Sequence, residues 1–178
     1  MQFPLFTPPT EWVMPDGYPD ISEAREVAID LETRDPNLKT LGSGWPRRDG
    51  HVIGIAVAVE GSAWYFPIRH DNGSNLDVKQ TFRWLSSVCS VDRDYIMHNA
   101  MYDLGWLWSE GIEVQGRVVD TMIVGALLDE NRFSYALNSL GRDYLNDRKS
   151  EKELYEAAEQ FGVNAKSEMW KLPAHFVG

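Results

Sequence analysis

Three stretches in the first 70 residues carry hydrophobic positions in runs that are typical of β-strands. Residues 26–32 form a short β-prone run that ends in acids, and 51–59 is a longer run rich in Val, Ile and Ala. A Glu-Gly-Ser turn separates the second run from a third at 63–68. Because such runs, bounded by turn residues, are typical of consecutive paired strands, the pattern predicts an antiparallel meander of three strands.

The hydrophobic spacing changes after residue 75 to the period of an α-helix. Val78, Phe82, Leu85 and Val88 recur every three or four residues, which predicts a helix over 76–88 with one apolar face. Further along, Asn99 is a favourable N-cap for a helix that Gly111 ends. The remaining predicted elements are a strand at 94–98, a short strand at 118–119, and helices near 120–129, 134–146 and 150–161.

This order of elements predicts the fold class. A strand meander followed by alternating strands and helices favours an α/β fold, with a mixed sheet flanked by helices. The order resembles the ribonuclease H-like fold. The length of 178 residues fits one domain with its own core. Since residues 1–20 contain five prolines, we expect an extended N-terminal arm there and the domain over 21–178.

Composition narrows the classes of protein that the chain can belong to. Trp, Tyr and Phe occur seven times each, and this aromatic content argues against disorder. The single cysteine, Cys89, excludes an intrachain disulfide and a cysteine-based zinc site, and its apolar neighbours predict that it is buried. The chain has no run of 18 apolar residues and its N-terminus lacks the basic region of a signal peptide, so we expect no membrane partner.

The charge balance limits how the chain can meet nucleic acid. The net charge of −10 argues against broad binding of duplex DNA, which usually needs a basic face. It is compatible with an enzyme that holds only a few nucleotides of a strand end. Metal ions in such a site would neutralise clustered carboxylates and screen the substrate phosphates from them.

Two acids at the end of the first predicted strand are candidate metal ligands. Asp30 and Glu32 are two residues apart, so on a strand their side chains point to the same face. Paired carboxylates supply the oxygen ligands that Mg²⁺ and Mn²⁺ prefer. An Asp-x-Glu pair also occurs by chance, roughly once in a chain of this length at average acid usage. Taken alone, the pair is therefore a weak indication.

A second acidic motif follows a predicted strand. In His98-Asn-Ala-Met-Tyr-Asp103, the Asn and the Asp are four residues apart, which places them on one face of a helix. The alternative for each residue is structural, as an N-cap and a solvated acid. For Asp120, which begins a later helix, we favour a structural role at the helix N-terminus over metal ligation.

Together these motifs resemble a known family. Ile29-Asp-Leu-Glu-Thr33 followed by His98-Asn-Ala-Met-Tyr-Asp103 resembles motifs I and II of the DEDD exonuclease superfamily. The likeness covers roughly residues 20–178 and is strongest with the 3′→5′ proofreading exonuclease domain of phage-like family A DNA polymerases. Other stretches that carry it are Asp49-Gly-His-Val-Ile-Gly-Ile55, Tyr65-Phe-Pro-Ile-Arg-His70, Val119-Asp-Thr-Met-Ile-Val-Gly-Ala-Leu-Leu128 and Tyr135-Ala-Leu-Asn-Ser-Leu140.

The resemblance implies two-metal hydrolysis of the terminal phosphodiester at the 3′ end of single-stranded DNA. It implies two Mg²⁺ or Mn²⁺ ions held by Asp30, Glu32 and Asp103, which are both the catalytic residues and the metal ligands. It further implies a covalently linked polymerase domain and a location in the cytoplasm of a bacterial or phage-infected cell. The residues expected to contact the substrate, or to hold the second motif in place, are Leu31, Thr33, His98, Asn99 and Tyr102.

One part of the family pattern is not found in the sequence. The family completes its site with a late Tyr-x-x-x-Asp or His-x-x-x-x-Asp motif. Tyr155 is followed four residues later by Glu159 instead of Asp, and we expect this Tyr to serve packing. An Asp five residues after His175 would fall beyond Gly178. We therefore expect the domain over 21–178 to lack its third motif.

Two alternatives to a DNA exonuclease stay open at this point. A ribonuclease D-like RNA exonuclease uses the same motifs, so the acids themselves do not separate the two. A module that binds nucleic acid or a protein without cleaving is the other alternative, and the missing third motif favours it.

Overall fold

A five-stranded sheet forms the centre of the part of the chain that the computed structural model describes, residues 12–147 and 151–178. Its order is β3-β2-β1-β4-β5, with β1, β2 and β3 antiparallel and β4 and β5 joined in parallel. The predicted meander and the predicted mixed sheet are therefore confirmed. The strands are β1 (Glu26–Arg34), β2 (His51–Val59), β3 (Ser62–Pro67), β4 (Asp94–Met97) and β5 (Arg117–Asp120).

The turn between β2 and β3 follows from its sequence. Val59 pairs with Ser62, which leaves only Glu60 and Gly61 in the turn. Gly61 has a φ of 75°, and glycine reaches this left-handed region without strain. The tight hairpin sets the register of the two strands, so that Tyr65 lies opposite Ala56.

Helices connect and flank the strands. The first long helix begins where the side chain of Asp77 accepts a hydrogen bond from the backbone N–H of Gln80, as an N-cap does. Within the described residues the α-helices are α1 (Leu38–Leu41), α2 (Val78–Cys89), α3 (Ala100–Ser109), α4 (Thr121–Leu128), α5 (Leu137–Leu140) and α6 (Lys152–Phe161).

The predicted helix at 134–146 is wrong in extent. Residue Ala136 is extended, with a ψ of 144°, and the α-helix begins only at Leu137. After four residues it gives way to a π-helical turn, Gly141–Leu145, which ends at Asn146 in a left-handed conformation. The first turn is delayed because the Ser134 hydroxyl accepts a hydrogen bond from the Ala136 N–H, a local bond that competes with helix.

One face of the sheet packs against the main core. Alternate residues of β1, namely Val27, Ile29 and Leu31, are buried there with Ile55 and Val57 from β2. Helices α2 and α3 cover this face with Leu85, Val88, Cys89, Trp106 and Leu107. Burial of Cys89 confirms its expected packing role and raises the pKa of its thiol to about 12.

The opposite face of the sheet carries small and polar side chains. Ala28 and Asp30 lie opposite Ala58 and Ala56, and Tyr65 lies beside Ala56 on the next strand. A cavity of about 510 Å³ opens on this face. The alanines on this face have much smaller side chains than the aliphatic residues on the core face, and this leaves room for the cavity.

A second, smaller core joins α6 to the C-terminal residues. Leu154, Ala157, Leu172 and Phe176 are buried in it. The segment is attached to the end of β3 by the backbone N–H of Asp71, which donates to the Trp170 carbonyl, and by two side-chain bonds from Asn72 and His70.

Residues 1–11 of the predicted N-terminal arm lie outside the described residues, as do 148–150 at the start of the last predicted helix. Residues 12–20 contain no helix or strand, and the ring of Tyr18 stacks on Phe66 and Trp84. The boundary at residue 20 stays a prediction. Among the described residues, no helix combines the length and the apolar character required to cross a membrane.

Candidate active site

Strand β1 brings Asp30 and Glu32 to the cavity face. The backbone register places Asp30 opposite Ala56 and Glu32 opposite Gly54, and both acids line the cavity. The register shifts after Glu32, where a bulge interrupts the pairing with β2. Glu32 pairs with Gly54 and Thr33 pairs with Val52, so Ile53 of β2 is the extra residue, and a bulge of this kind re-aims the side chains beside it.

Helix α3 brings the third acid to the same region from the other side of β1. Asp103 is only 3% exposed, and its Oδ1 accepts a hydrogen bond of 3.1 Å from the backbone N–H of Leu31. Burial raises the pKa of Asp103 to about 8, and the negative charges of Asp30 and Glu32 contribute to this shift. The three acids therefore act on one another electrostatically, as a cation site requires.

The three carboxyl groups do not already enclose a point in space. Across residues 12–147 and 151–178, no group of three or more His, Cys, Asp or Glu side chains is arranged to hold a metal ion. The donor set still fits a hard cation, because all three side chains offer oxygen.

The expected contact of the Leu31 side chain with a substrate is wrong. Leu31 is 5% exposed and belongs to the main core, on the face opposite the two acids. The strand period of two residues explains this, because the neighbour of an outward residue points inward. Leu31 contributes to the site through its backbone N–H, which binds Asp103.

The expected N-cap role of the Asn99 side chain is also wrong. Asn99 occupies the cap position with a left-handed backbone, φ 60°, and its side chain makes no capping bond. The side chain of Asp120 takes that role by accepting hydrogen bonds from the N–H groups of Asn99 and Ala100. Asn99 is exposed while Asp103 is buried, so the two do not share one helix face.

Asp120 has the structural role that we favoured from sequence. It caps α4 through the N–H of Met122, and the same Oδ1 accepts the Asn99 N–H. One buried carboxylate thereby joins the start of α3 to the start of α4. The sequence indicated only the α4 contact, since the bond to residue 99 spans 21 positions.

Thr33 and Tyr102 are brought together next to the acids. The Thr33 hydroxyl and the Tyr102 hydroxyl are 2.7 Å apart, and the Tyr102 hydroxyl also donates to Asp35. Burial raises the pKa of Tyr102. Asp35 in turn accepts from the Gly44 N–H, which holds the loop after β1 in place. A role for Thr33 and Tyr102 in binding substrate stays a prediction.

His98 lies at the end of β4 and borders the cavity. Its Nδ1 is 2.9 Å from the hydroxyl of Thr121, which itself donates to the carbonyl of Met97. The imidazole is therefore held against the start of α4 at the edge of the acid cluster. A contact between His98 and a substrate likewise stays a prediction.

Tyr65 is a site residue that our reading of the sequence did not propose. It lines the cavity with Asp30 and Glu32, and its hydroxyl lies 2.7 Å from Nε2 of the buried His70. In the sequence, Gly54 was the residue that could have indicated the position of Tyr65. A glycine inside a strand often marks a close approach, and a Cβ at Gly54 would lie 1.9 Å from the Tyr65 hydroxyl oxygen.

Comparison with known proteins decides the family. A model of the 3′-5′ exonuclease family matches residues 18–172 of the chain, well over half of its length. The chain belongs to the 3′-5′ exonuclease family. The resemblance to the exonuclease domain of phage family A DNA polymerases is thereby confirmed, and with it the nuclease class of the protein.

Phage DNA polymerases are among the proteins that this chain is similar to. A DNA-directed DNA polymerase of Pseudomonas phage M6 is 39% identical over all of this chain and 28% of its own length. The DNA polymerase DpoZ of Salmonella phage PMBT28 is 31% identical over 82% of the chain and 21% of its own length. The chain thus spans about a quarter of the length of these polymerases.

The fold is shared with a solved protein from another lineage. Trypanosoma brucei RNase D superposes with a TM-score of 0.62 at 17% identity, over 86% of this chain and 52% of that one. Together with the mixed five-stranded sheet, this confirms the expected ribonuclease H-like architecture.

Tyr155 and His175, the late candidates for the third motif of the exonuclease family, belong to the segments that form the smaller core. Tyr155 is 47% exposed on α6, whose inner face carries Leu154 and Ala157, so the expected packing role on an amphipathic helix fits. His175 is half-buried beside Phe176, with ring centroids 4.0 Å apart. Neither side chain lines the cavity that holds Asp30 and Glu32.

Proposed function

We propose that this exonuclease-family chain hydrolyses terminal phosphodiesters at the 3′ end of single-stranded DNA, with Asp30, Glu32 and Asp103 as metal ligands. One observation carries the proposal: Asp30 and Glu32 line one cavity, and Asp103 accepts a hydrogen bond from the backbone N–H of Leu31, the residue between them. Burial and the neighbouring charges of Asp30 and Glu32 raise the pKa of Asp103 to about 8, which makes the cluster unfavourable when all three are ionised. A divalent cation would remove that cost by pairing with the three carboxylates.

The positions of the three acids suggest what each contributes to the reaction. Asp30 is exposed at the cavity face, Glu32 is half-buried beside the bulge, and Asp103 is fastened to the Leu31 backbone. Bound Mg²⁺ or Mn²⁺ would activate water and stabilise the charge on the departing 3′ oxygen. We infer that Asp103 keeps its position through the Leu31 N–H while its proton is lost on metal binding.

Substrate contacts come from polar side chains around the acids. Asn99 is exposed beside the start of α3, and His98 is held by Thr121 at the cavity edge, so both can meet a strand end. Thr33 and Tyr102 share a hydrogen bond on the other side of β1. These four residues are our proposed contacts for the terminal nucleotide, and the buried Leu31 side chain is not among them.

The proposed partner is a linked polymerase domain. The matched relatives are DNA polymerases several times longer than this chain. The net charge of −10 supports a division of labour, in which another domain holds the duplex and this one receives only the strand end.

The test compares two proteins on two substrates. The first is this chain, and the second is a fusion that joins the portion of the Pseudomonas phage M6 polymerase following its matched region after Gly178. Each is incubated with 5′-labelled single-stranded DNA or RNA of the same sequence, with Mg²⁺, Mn²⁺ or EDTA. Asp30→Asn in both proteins is the matched control, because it removes the charge and keeps the shape of an exposed side chain.

We expect stepwise shortening of DNA from the 3′ end, dependent on metal and reduced at least about 100-fold by Asp30→Asn. Cleavage of RNA in preference to DNA would replace the DNA proposal with an RNA exonuclease. An inert fusion on both substrates, with metals present, would overturn the proposed activity.

A second candidate is binding without cleavage by these 178 residues. The absence, among the described residues, of three acids arranged around one point favours it. Cleavage by the fusion combined with DNA binding but no cleavage by the chain would assign the chain to this class.

A further inference from the structure

A chain of buried hydrogen bonds runs from the C-terminal segment to the edge of the acid cluster. Nδ1 of His70 is 2.8 Å from the carbonyl oxygen of Leu172, and its Nε2 is 2.7 Å from the hydroxyl oxygen of Tyr65. His70 and Tyr65 are each 4% exposed. Neither residue has a part in the function proposed above.

The chemistry of the partners sets the direction of each bond. A carbonyl oxygen can only accept, so His70 must carry its proton on Nδ1 and donate it to Leu172. Burial lowers the pKa of His70, so the ring is neutral and Nε2 is an acceptor. The Tyr65 hydroxyl must then donate its proton to His70. Its oxygen keeps only lone pairs for any other partner.

The Tyr65 hydroxyl lies on the face of the sheet that carries Glu32. Tyr65 is paired with Ala56, but its ring leans along β2 until the hydroxyl stands over Gly54. Gly54 is the cross-strand partner of Glu32, and neighbouring strands are about 4.8 Å apart. The missing side chain at Gly54 is what makes room for the hydroxyl there. Tyr65, Asp30 and Glu32 all line the same cavity.

We propose that Tyr65 is a positioning residue for the exonuclease reaction: its hydroxyl oxygen, kept as an acceptor by His70, orients a water molecule held at Glu32. The inference rests on the proposed function of the acid cluster.

The competing role for Tyr65 is purely structural. In that case the bonds only fasten the segment around Leu172 to the end of β3, beside the neighbouring bond from Asp71 to Trp170. A structural role predicts a loss of stability and no specific loss of rate. Measuring kcat on folded protein therefore distinguishes the structural role from the positioning role.

The test compares two variants, each of which loses the hydroxyl of one buried tyrosine. Tyr65→Phe keeps the ring and leaves the His70–Leu172 bond intact. Tyr95→Phe is the control, since Tyr95 is equally buried on β4 and its hydroxyl donates to the carbonyls of Val88 and Val91, on the core face of the sheet. Both variants are made in whichever wild-type protein, chain or fusion, cleaves DNA faster. Melting temperature, kcat and KM are measured for each.

We expect Tyr65→Phe to lower kcat by roughly 10-fold to 100-fold with KM for DNA little changed, as for groups that orient a reacting ligand. Tyr95→Phe should lower the melting temperature to a similar degree and leave kcat at the wild-type value. As a second measurement, 3-fluorotyrosine at position 65 weakens the oxygen as an acceptor and should lower kcat by a smaller factor than Phe.

Three results would contradict the inference. Equal kcat in Tyr65→Phe and wild type overturns it while the proposed function stands. A rise in kcat with 3-fluorotyrosine also overturns it, because a donor role would then apply. A wild-type protein that is inert as both chain and fusion overturns the proposed function, and the inference with it.

Discussion

The two faces of the sheet differ in the size and chemistry of their side chains, although they share the same backbone. On the core face, Ile29 pairs with Val57 and both are almost fully buried. On the cavity face, the next residue along each strand gives the pair Asp30 and Ala56. Stability therefore depends on one set of alternate residues and the candidate chemistry on the other.

Strand β1 shows how a single strand can contribute both to stability and to the candidate chemistry. In β1, burial of every second residue anchors the strand, and the exposed residues between them are free to be acidic. The cost of gathering like charges falls on Asp103, which is the buried member of the cluster. The large core face is expected to offset that cost, and each prediction below tests the division between the faces.

The largest effect on stability is expected on the core face. Ile29→Ala should lower the free energy of unfolding by about 2–5 kcal/mol, because it leaves a cavity in a packed core. Asp30→Asn, one residue away, should change it by no more than about 0.5 kcal/mol, since its side chain is exposed. Urea denaturation measures both. Equal losses in the two variants would refute the division.

The next effect concerns Asp103 and depends on pH. Its pKa is raised to about 8, so the fold favours the protonated form, and stability from this group is fully present below the unfolded pKa and lost as pH rises through 8. Asp103→Asn keeps an acceptor for the Leu31 N–H without the charge. We expect it to stabilise the metal-free protein at about pH 8.5 by an amount on the order of a few kcal/mol, and much less at about pH 5.

Added metal should reverse the order of stability of the wild type and Asp103→Asn. Mn²⁺ should raise the melting temperature of the wild type at about pH 8.5 and leave Asp103→Asn almost unchanged, because binding requires the ionised carboxylate. An equal response of the two proteins to Mn²⁺ would show that Asp103 is not a ligand.

Filling the space at Gly54 should have an intermediate effect. Gly54→Ala places a methyl group against the Tyr65 hydroxyl and ring, which must move. Overpacking of this kind costs about 1–3 kcal/mol. Gly61→Ala is a useful comparison because its Cβ would meet no atom within 4 Å, although its backbone would be strained there. Exonuclease activity should fall only in Gly54→Ala, since Gly61 lies in the distant hairpin turn.

The smallest effect is expected where the cavity offers room. Ala58→Val adds carbon atoms on the cavity face and should change the free energy of unfolding by less than about 1 kcal/mol. Val57→Ile adds a carbon to the adjacent, fully packed residue and should cost about 1–3 kcal/mol. Thermal denaturation of the pair measures the contrast directly. A larger loss in Ala58→Val would mean that the cavity face is already filled.

Much of the fold could be predicted from local pattern. The meander, the helix after it and the two later strands all follow from hydrophobic period and turn residues, which act over short distances. The helix at 134–146 failed because the hydroxyl of Ser134 binds the backbone at Ala136 and delays the first turn. Side-chain competition of this kind leaves the hydrophobic period unchanged, so the period could not reveal it.

The sequence predicted the acids of the candidate site but not the hydrogen bonds that hold the residues around them. Asp30, Glu32 and Asp103 were proposed from spacing and resemblance. The bonds that hold their surroundings join distant residues: Leu31 with Asp103 across 72 positions, and His70 with Leu172 across 102. Such contacts have no local period, so no reading of spacing finds them.

The side chains that share a face of β1 can be read from the sequence alone, because the strand period of two is a property of the backbone. The same period separates the two acids from Leu31, whose side chain is buried in the main core. Only the tertiary structure decided that Asp103 would be buried beside these acids and that the Tyr65 hydroxyl would lie over Gly54. Burial and electrostatic coupling depend on distances in space, and these exist only after the strands and helices have packed.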